Sequence, residues 1–498
     1  MIEIEGVDKS VVCKPEVISV GGEGDAKSAS LNYVIRFSGT EFRKQNGAAI
    51  GVPVLEVAGG LRADMLPAPT LSGSSKITLE GISAGAAKCA KVEAVIPYRW
   101  PLETAAGPKA RQMDQIMGSI STEPFVAGES TFGGFEAVLK QSGDFFWDVS
   151  GQFNTVFDTL KVMVDGGIGL KDPKGFCLDF FFEVQDASGR MVAELDKMNP
   201  SLEGMRLEGS IAAKGHVSYE SGNMKTDAGI VLSDALLDIP SRKLSIEGID
   251  VQLTLQDLAT MKSLPKQTLK FKKLSSGNIQ LDSGRINFQI EAPSKFFIER
   301  SSFSWCGGRV NAPAMRIVPG ENVSFTLYCD RLNLAMFLKQ LKIAESTGDG
   351  TVNGRIPLTI GKGKLRIRDG FLYSTPGVGG IISFSKSDII QSAFQSQDGI
   401  SGSAFAMDVL NNFKYDWAKV TMNSGDENLV MLLEISGVPA DSFAFEASSG
   451  TFRRVEKDEG DIVRFQGIRY DIKFNLPFDG LLKMESDFGN LIKDGSGE

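Results

Sequence analysis

Apolar and polar residues alternate with a period of two along most of the chain, the pattern of strands with one buried face. Leu31, Tyr33, Ile35 and Phe37 point one way, with Asn32 and Arg36 between them. Ile249, Val251, Leu253 and Leu255 alternate with Asp250, Gln252 and Thr254, and Ile286, Phe288 and Ile290 alternate with Asn287 and Gln289. Leu365 and Ile367 alternate with Lys364, Arg366 and Arg368; Tyr470, Ile472, Phe474 and Leu476 alternate with Asp471, Lys473 and Asn475. A slip of one residue would expose each of these sets, so register is strongly specified. Asp282-Ser283-Gly284, Val318-Pro319-Gly320, Asp369-Gly370 and Asn423-Ser424-Gly425 are turn signals between the runs. Strands joined this way predict an antiparallel meander rather than strand–helix–strand units.

Helical spacing is rare. Leu334, Phe337, Leu338 and Leu341 follow i, i+3, i+4, i+7 with Asn333 as N-cap, predicting a helix over 333–345. Weaker helical patterns cover 152–164 (Phe153, Val156, Phe157, Leu160) and 386–394. Residues 103–125 and 454–460 read as loops.

Composition narrows the function. The 498 residues hold 42% hydrophobic side chains, ample for a core, yet no run approaches the ~18 consecutive apolar residues of a membrane-spanning helix. Met1-Ile2-Glu3-Ile4-Glu5-Gly6 lacks the basic start and apolar centre of a signal peptide. The expectation is a chain without its own span or export signal, a piece of a longer protein whose anchor lies upstream. A net charge of −9 is the wrong sign for binding nucleic acid through its phosphates. The basic run from Lys266 to Lys273 reads as the wet face of a strand. Cys13, Cys89, Cys177, Cys306 and Cys329 are scattered without a C-x-x-C pair, which removes zinc and thioredoxin-like chemistry. They read as small buried apolar side chains, with one disulfide between distant members left open. Thirty-two Phe stand against 4 Trp and 7 Tyr, and there is one histidine, His216. Most acid–base and transition-metal sites need more histidine than that.

Four motifs resemble catalytic or ligand sites and fail on context or spacing. Gly81-Ile82-Ser83-Ala84-Gly85 matches the G-x-S-x-G nucleophile elbow, with His216 following in triad order, but lacks the alternating helices of a hydrolase. A serine esterase using Ser83 is therefore a minor alternative. Gly348-Asp349-Gly350-Thr351-Val352-Asn353-Gly354 follows a helix and precedes a strand, the reverse of a nucleotide-binding loop. Gly361-Lys362-Gly363-Lys364 lacks the hydroxyl residue of a phosphate loop. Glu456, Asp458, Glu459 and Asp461 lack EF-hand spacing and read as a solvated loop. His216, between Gly215 and Val217, falls on a polar face and reads as a surface residue. No cofactor and no metal are expected.

Residues 332–382 carry the most specific signal. The helix of Leu334–Leu341 leads into Gly348-Asp349-Gly350-Thr351-Val352-Asn353-Gly354-Arg355-Ile356-Pro357-Leu358, then Gly363-Lys364-Leu365-Arg366-Ile367-Arg368-Asp369-Gly370, then Gly377-Val378-Gly379-Gly380-Ile381-Ile382. This order resembles the C-terminal part of YdbH-like proteins in the AsmA/TamB group. Val409 to Asp416, Leu429 to Gly437 and Ile472 to Pro477 continue the resemblance, which covers about 240–480. It implies a mainly β fold: an elongated, curled antiparallel sheet, a taco-like trough with an apolar interior and a few short helices. It also implies phospholipid acyl chains sliding between inner and outer membranes through the periplasm of a double-membraned bacterium, with membrane contact at the ends. The family's N-terminal anchor is missing from this sequence. An older association with dicarboxylate transport finds no support, because an apolar lining disfavours a doubly charged solute.

The expected organisation is an N-terminal β-rich groove segment (1–239), a YdbH-like β domain (240–480) and a polar tail (481–498). Expected lining residues are Ile249, Val251, Leu253, Ile286, Phe288, Ile290, Leu365, Ile367, Phe474 and Leu476. The terminal strand, 470–476, offers an edge to which an envelope protein could add a strand. The rival reading is a purely structural β-protein, an adhesin stalk or sandwich array with closed apolar faces. Periodicity alone does not separate the two.

Overall fold

The computed structural model describes residues 2–5, 9–44, 49–65, 69–85, 87–101, 117–384 and 409–477, apart from brief stretches within the last two ranges. The chain divides into two units, Met1–Leu232 with Thr254–Ala259 and Ser233–Leu253 with Thr260–Glu498. Two of the three divisions fall inside strands, at 232/233 and 253/254.

The N-terminal unit is an antiparallel sheet of long strands: β1 (Ile2–Glu5), β2 (Lys9–Gly24), β3 (Ser28–Lys44), β4 (Ala49–Asp64), β5 (Thr70–Ala84) and β6 (Ala87–Pro101). It continues through β7 (Met117–Thr122), the short β8 (Phe125–Ala127) and β9 (Ser130–Phe132), β10 (Phe135–Gly143) and β11 (Phe146–Asn154). Then come β12 (Leu160–Asp172), β13 (Gly175–Asp186), β14 (Met191–Glu194), β15 (Arg206–Glu220) and the start of β16 (Asn223–Ile239). Its fully buried apolar residues form small clusters, such as Ala137, Leu139 and Val149.

The C-terminal unit includes most of β17 (Leu244–Asp257), then β18 (Lys262–Ser263), β19 (Gln267–Ser276), β20 (Ile279–Ala292), β21 (Lys295–Trp305), β22 (Gly308–Ala312), β23 (Met315–Ile317) and β24 (Val323–Asn333). Helix α1 (Leu334–Gln340) follows directly. After it run β25 (Ser346–Gly348), β26 (Thr351–Gly361), β27 (Lys364–Ile367), β28 (Gly370–Ser374), β29 (Gly380–Phe384), β30 (Phe413–Ser424) and β31 (Asn428–Pro439). A small separate sheet of β32 (Phe443–Ser448), β33 (Thr451–Val455) and β34 (Asp461–Val463) precedes β35 (Ile468–Pro477), which pairs with β31.

The strongly curled trough is not what forms. The sheet is open: Val17 and Ile18, neighbours on β2 that point to opposite faces, are 45% and 65% exposed. Period-two alternation says which face is apolar but not how far a sheet bends; bulges and twist set that. Nor are there several short α-helices: among the described residues α1 is the one complete α-helix, with two further helical residues at Val409 and Leu410. It stops at Gln340, short of 345, because Lys342 takes a positive φ of 58°. Residues 152–164 form the end of β11, a turn and the start of β12 instead of a helix. The Thr155 hydroxyl donates to the carbonyls of Phe157 and Leu160, both at 2.9 Å, and the Leu160 amide closes the turn onto Phe157 O. The loop expected over 103–125 contains β7, and Thr451–Val455 is a strand. The helix at 386–394, the acidic cluster at 456–459 and the tail at 481–498 lie outside the described residues.

Candidate functional site

The distinctive feature of the N-terminal unit is what its register brings side by side. Residues directly opposite in an antiparallel pair share a face, so each row of partners crosses the sheet perpendicular to the strands. One row runs Ile18–Ile35–Val57–Ile77–Ala94–Ile120 over β2 to β7. It continues as Ala137–Gly151–Val164–Phe182–Gly215 over β10 to β13 and β15. Eleven strands each contribute an apolar residue or a glycine. The next row on the same face is Phe37–Leu55–Leu79–Val92–Thr122, followed by Phe135–Phe153–Val162–Val184–Ala213. Thr122 joins the two halves by accepting the Phe135 amide through Oγ1 at 3.0 Å.

Polar atoms on this face are engaged by the protein itself. The Tyr33 and Ser75 hydroxyls hydrogen-bond each other, and the Tyr98 hydroxyl donates to Gly60 O at 3.1 Å. Burial, then the neighbouring Tyr33 hydroxyl, pushes the Tyr98 phenol up to about 12. Gln141 accepts from the Arg99 amide at 2.7 Å and donates to its carbonyl at 3.1 Å, and Trp147 Nε1 donates to Pro97 O at 2.6 Å.

Aromatic rings on the face lie over glycines of the adjacent strand, as Tyr98 does over Gly73 and Phe182 over Gly215. A Cβ at Gly73 would stand 2.9 Å from Tyr98 Cε2, and one at Gly215 would overlap the Phe182 ring. These pairings give some of the chain's 55 glycines a role, because a ring can lie flat only where the partner has no side chain.

The reverse face carries charge. Its row Arg36–Glu56–Thr78–Glu93 is flanked by ion pairs from Arg36 to Glu16 (3.7 Å) and Glu56 (4.0 Å) and from Lys76 and Lys91 to Glu93 (3.1 and 3.0 Å). Lys91 first, then Lys76, holds the Glu93 carboxyl below the usual carboxylate range, and Glu93 in turn holds the Lys91 ammonium above its ordinary value. His216 lies on this face between Asp179 and Asp227, stacked on Phe181.

Ser83 sits inside β5, paired with Gly51 and Lys88, not at a strand-to-helix elbow. Seven strand steps separate it from His216, roughly 34 Å at ~4.8 Å per step, so the structure brings no esterase pair together. The Gly348–Gly354 segment leads into β26, not into a helix. Among the described residues no group of three or more His, Cys, Asp or Glu is placed to hold a metal ion.

The ten residues expected from the sequence all lie in the C-terminal unit and fall into two environments. Val251–Leu269–Ile286, Phe288–Ile298–Met315 and Ile290–Phe296–Ile317 form rows of half-buried side chains. Leu253 and Leu365 are also half-buried, and Ile249 is buried. Ile367, Phe474 and Leu476 belong instead to a packed core with α1, where Phe474 is 1% exposed. None of the ten lies in the apolar rows of the N-terminal unit, although the alternation at 31–37 marked part of them.

An open sheet with one apolar face and one charged face offers apolar ligands a surface to cover. The family model described as "YdbH-like: Intermembrane phospholipid transport protein YdbH" matches residues 99–441, and the chain belongs to the YdbH-like family, of the AsmA/TamB type. It is a lipid-transfer domain, in a family whose activity is transport rather than catalysis. Comparison with curated proteins and with solved structures finds no match.

Proposed function

We propose that phospholipid acyl chains move across the strands along the apolar face, headgroups in water, and that the protein carries them through the periplasm between inner and outer membranes. The observation that carries this reading is the row from Ile18 to Gly215, which stays apolar across eleven strands while most of its members remain partly exposed. Ten strand steps at ~4.8 Å span about 48 Å, several times the ~15 Å depth of one leaflet's acyl layer. Each methylene that leaves water contributes about 0.8 kcal/mol, so a two-chain lipid is held without a specific headgroup contact. In the C-terminal unit, taken by itself, the proposed lining is Ile249, Val251, Leu253, Ile286, Phe288, Ile290 and Leu365. A closed sandwich would seal such a face, whereas Ile35, Val57 and Ile77 are half-exposed.

Extraction of the natively purified protein followed by mass spectrometry tests this. Phospholipid is the expected finding, and protein free of phospholipid would remove the reading. The membranes at either end are the contacts it implies. An envelope protein is a candidate partner at β35, which pairs with β31 on one side and has no other strand partner among the described residues. A free edge of that kind accepts an added strand. Deleting 468–477 should abolish capture of such a partner, and unchanged capture would dismiss it.

A further inference from the structure

Within the C-terminal unit one sheet face changes character partway across. On β19 to β23 its residues Leu269, Ile286, Phe288, Ile298 and Met315 are half-buried. On β22 to β35 the same face carries the row Val310–Cys329–Gly354–Leu372–Val420–Leu433–Ile472. Val310, Leu372, Val420 and Leu433 in that row are 0% exposed. The alternation in sequence is equally regular on both sides of the change. What differs is the cover: α1, with Val409 and Leu410, packs into one core with this row.

Helix α1 buries Leu334, Ala335, Phe337 and Leu338 against the face. Its Phe337 meets Trp305 of β21 edge-on at 5.3 Å between ring centroids. Gln340, in its last turn, accepts from Trp305 Nε1 at 2.8 Å and from the Gln280 amide at 3.1 Å, tying the helix end to β20 and β21. The Asn333 side chain caps the first turn by accepting the Met336 amide at 2.8 Å. The helix is thus pinned at both ends across the boundary between open and sealed. Past it, the face is half-exposed toward one end of the strands, in the row Phe325–Leu358 of β24 and β26 and at Leu365 of β27, and otherwise at the edge residues Ile468 and Tyr470 of β35. The next residue of that row, Ile367, is already buried.

We infer that the core closed by α1 is the stop of the lipid path, and that acyl chains leave the sheet over Phe325, Leu358 and Leu365, toward the strand ends away from α1, instead of crossing the block from β28 to β35. This rests on the transport reading above. An acyl chain has no surface to exchange for water where the face is already packed into the core with α1, so the sealed row offers it no gain. The core around Phe474 then serves as a rigid end-piece, and the lining shifts sideways to the strand ends.

The test uses the full chain produced with photo-leucine and photo-methionine, near-isosteres that leave the core packing intact. It is irradiated in membranes of a double-membraned bacterium, and lipid adducts are mapped by mass spectrometry. Adducts are expected at Leu269, Met315, Leu358 and Leu365, with loss of signal at Leu372, Met422, Met431 and Leu433. Adducts at Leu433 and Met431 matching those at Leu269 would overturn the stop. Adducts at Leu269 but none at Leu358 or Leu365 would overturn the exit. No adduct anywhere, including Leu55 and Leu79 of the N-terminal unit, would overturn transport along the face itself. Gln340→Ala, which releases the helix end, should bring adducts to Leu372; a variant that loosens α1, seen as faster proteolysis between 333 and 345, without that gain also counts against the stop.

Discussion

Replacing Ile77 by Asp places a carboxylate in the middle of the apolar row, between Val57 and Ala94. Ile77 is only half-buried, so the lipid-free sheet leaves the new charge in contact with water. The cost to folding is then about half the ~1.5–3 kcal/mol of a fully buried aliphatic side chain, about 1 kcal/mol. The loaded state is affected more. A lipid must either cover an ion whose desolvation costs several kcal/mol or withdraw four or five methylenes at ~0.8 kcal/mol each, about 3–4 kcal/mol. At 1.4 kcal/mol per tenfold, lipid affinity at that rung should fall roughly 100- to 1,000-fold. The assay compares lipid recovered per mole of purified protein and the thermal melting midpoint. Ser119→Asp, at an exposed position on the reverse face opposite Val95 and Val138, is the control and should keep its lipid. A full lipid complement on Ile77→Asp, or an equal loss on Ser119→Asp, would refute one-sided transport.

In the C-terminal unit the same substitution separates lining from core. Phe288→Asp should lose lipid but stay folded, whereas Ile367→Asp, beside the α1 core, should unfold the unit as read by circular dichroism. Phe474→Ala should lower C-terminal-unit stability by about 3–5 kcal/mol in denaturant titration, the usual cost of deleting a buried aromatic ring. Asn333→Ala removes the α1 cap and should cost about 1 kcal/mol by the same measurement. For pH, Glu93 has a lowered pKa, so its contribution is present above the unfolded carboxylate value and is lost as pH falls through the depressed one. Lys91 has a raised pKa, so its contribution is present below the unfolded lysine value and is lost as pH rises through the raised one. Melting curves recorded across acid pH should therefore show a decline that Glu93→Gln flattens, while an identical acid profile for that variant would contradict the pairing.

The apolar face was legible because alternation survives in the sequence wherever a strand has two unlike sides. Runs such as 31–37 and 286–290 predicted the strands that form, and Asn333 predicted where α1 begins. The turn after β11 was misread because Phe153, Val156, Phe157 and Leu160 satisfy helical spacing, while Phe153 in fact pairs with Phe135 and Val162 across strands. Curvature was not legible, since it depends on local breaks such as Ser283 at φ 51°, where the β20–β21 register slips. The difference between Phe288 and Phe474 was also hidden. Both alternate cleanly, and only the contacts of a distant helix and its neighbours distinguish open lining from core.

Because the apolar rows cross the strands at right angles, distance along the path is counted in hairpins and not in residues along a strand. Each added hairpin lengthens the route by about 10 Å at ~4.8 Å per strand without altering its width or the chemistry of its floor. A chain built this way can be matched to a wider or narrower gap by gaining or losing whole hairpins. The width of the route is set separately, by how many alternating residues each strand contributes. Reach and capacity are therefore independent dimensions, open to change by different kinds of mutation.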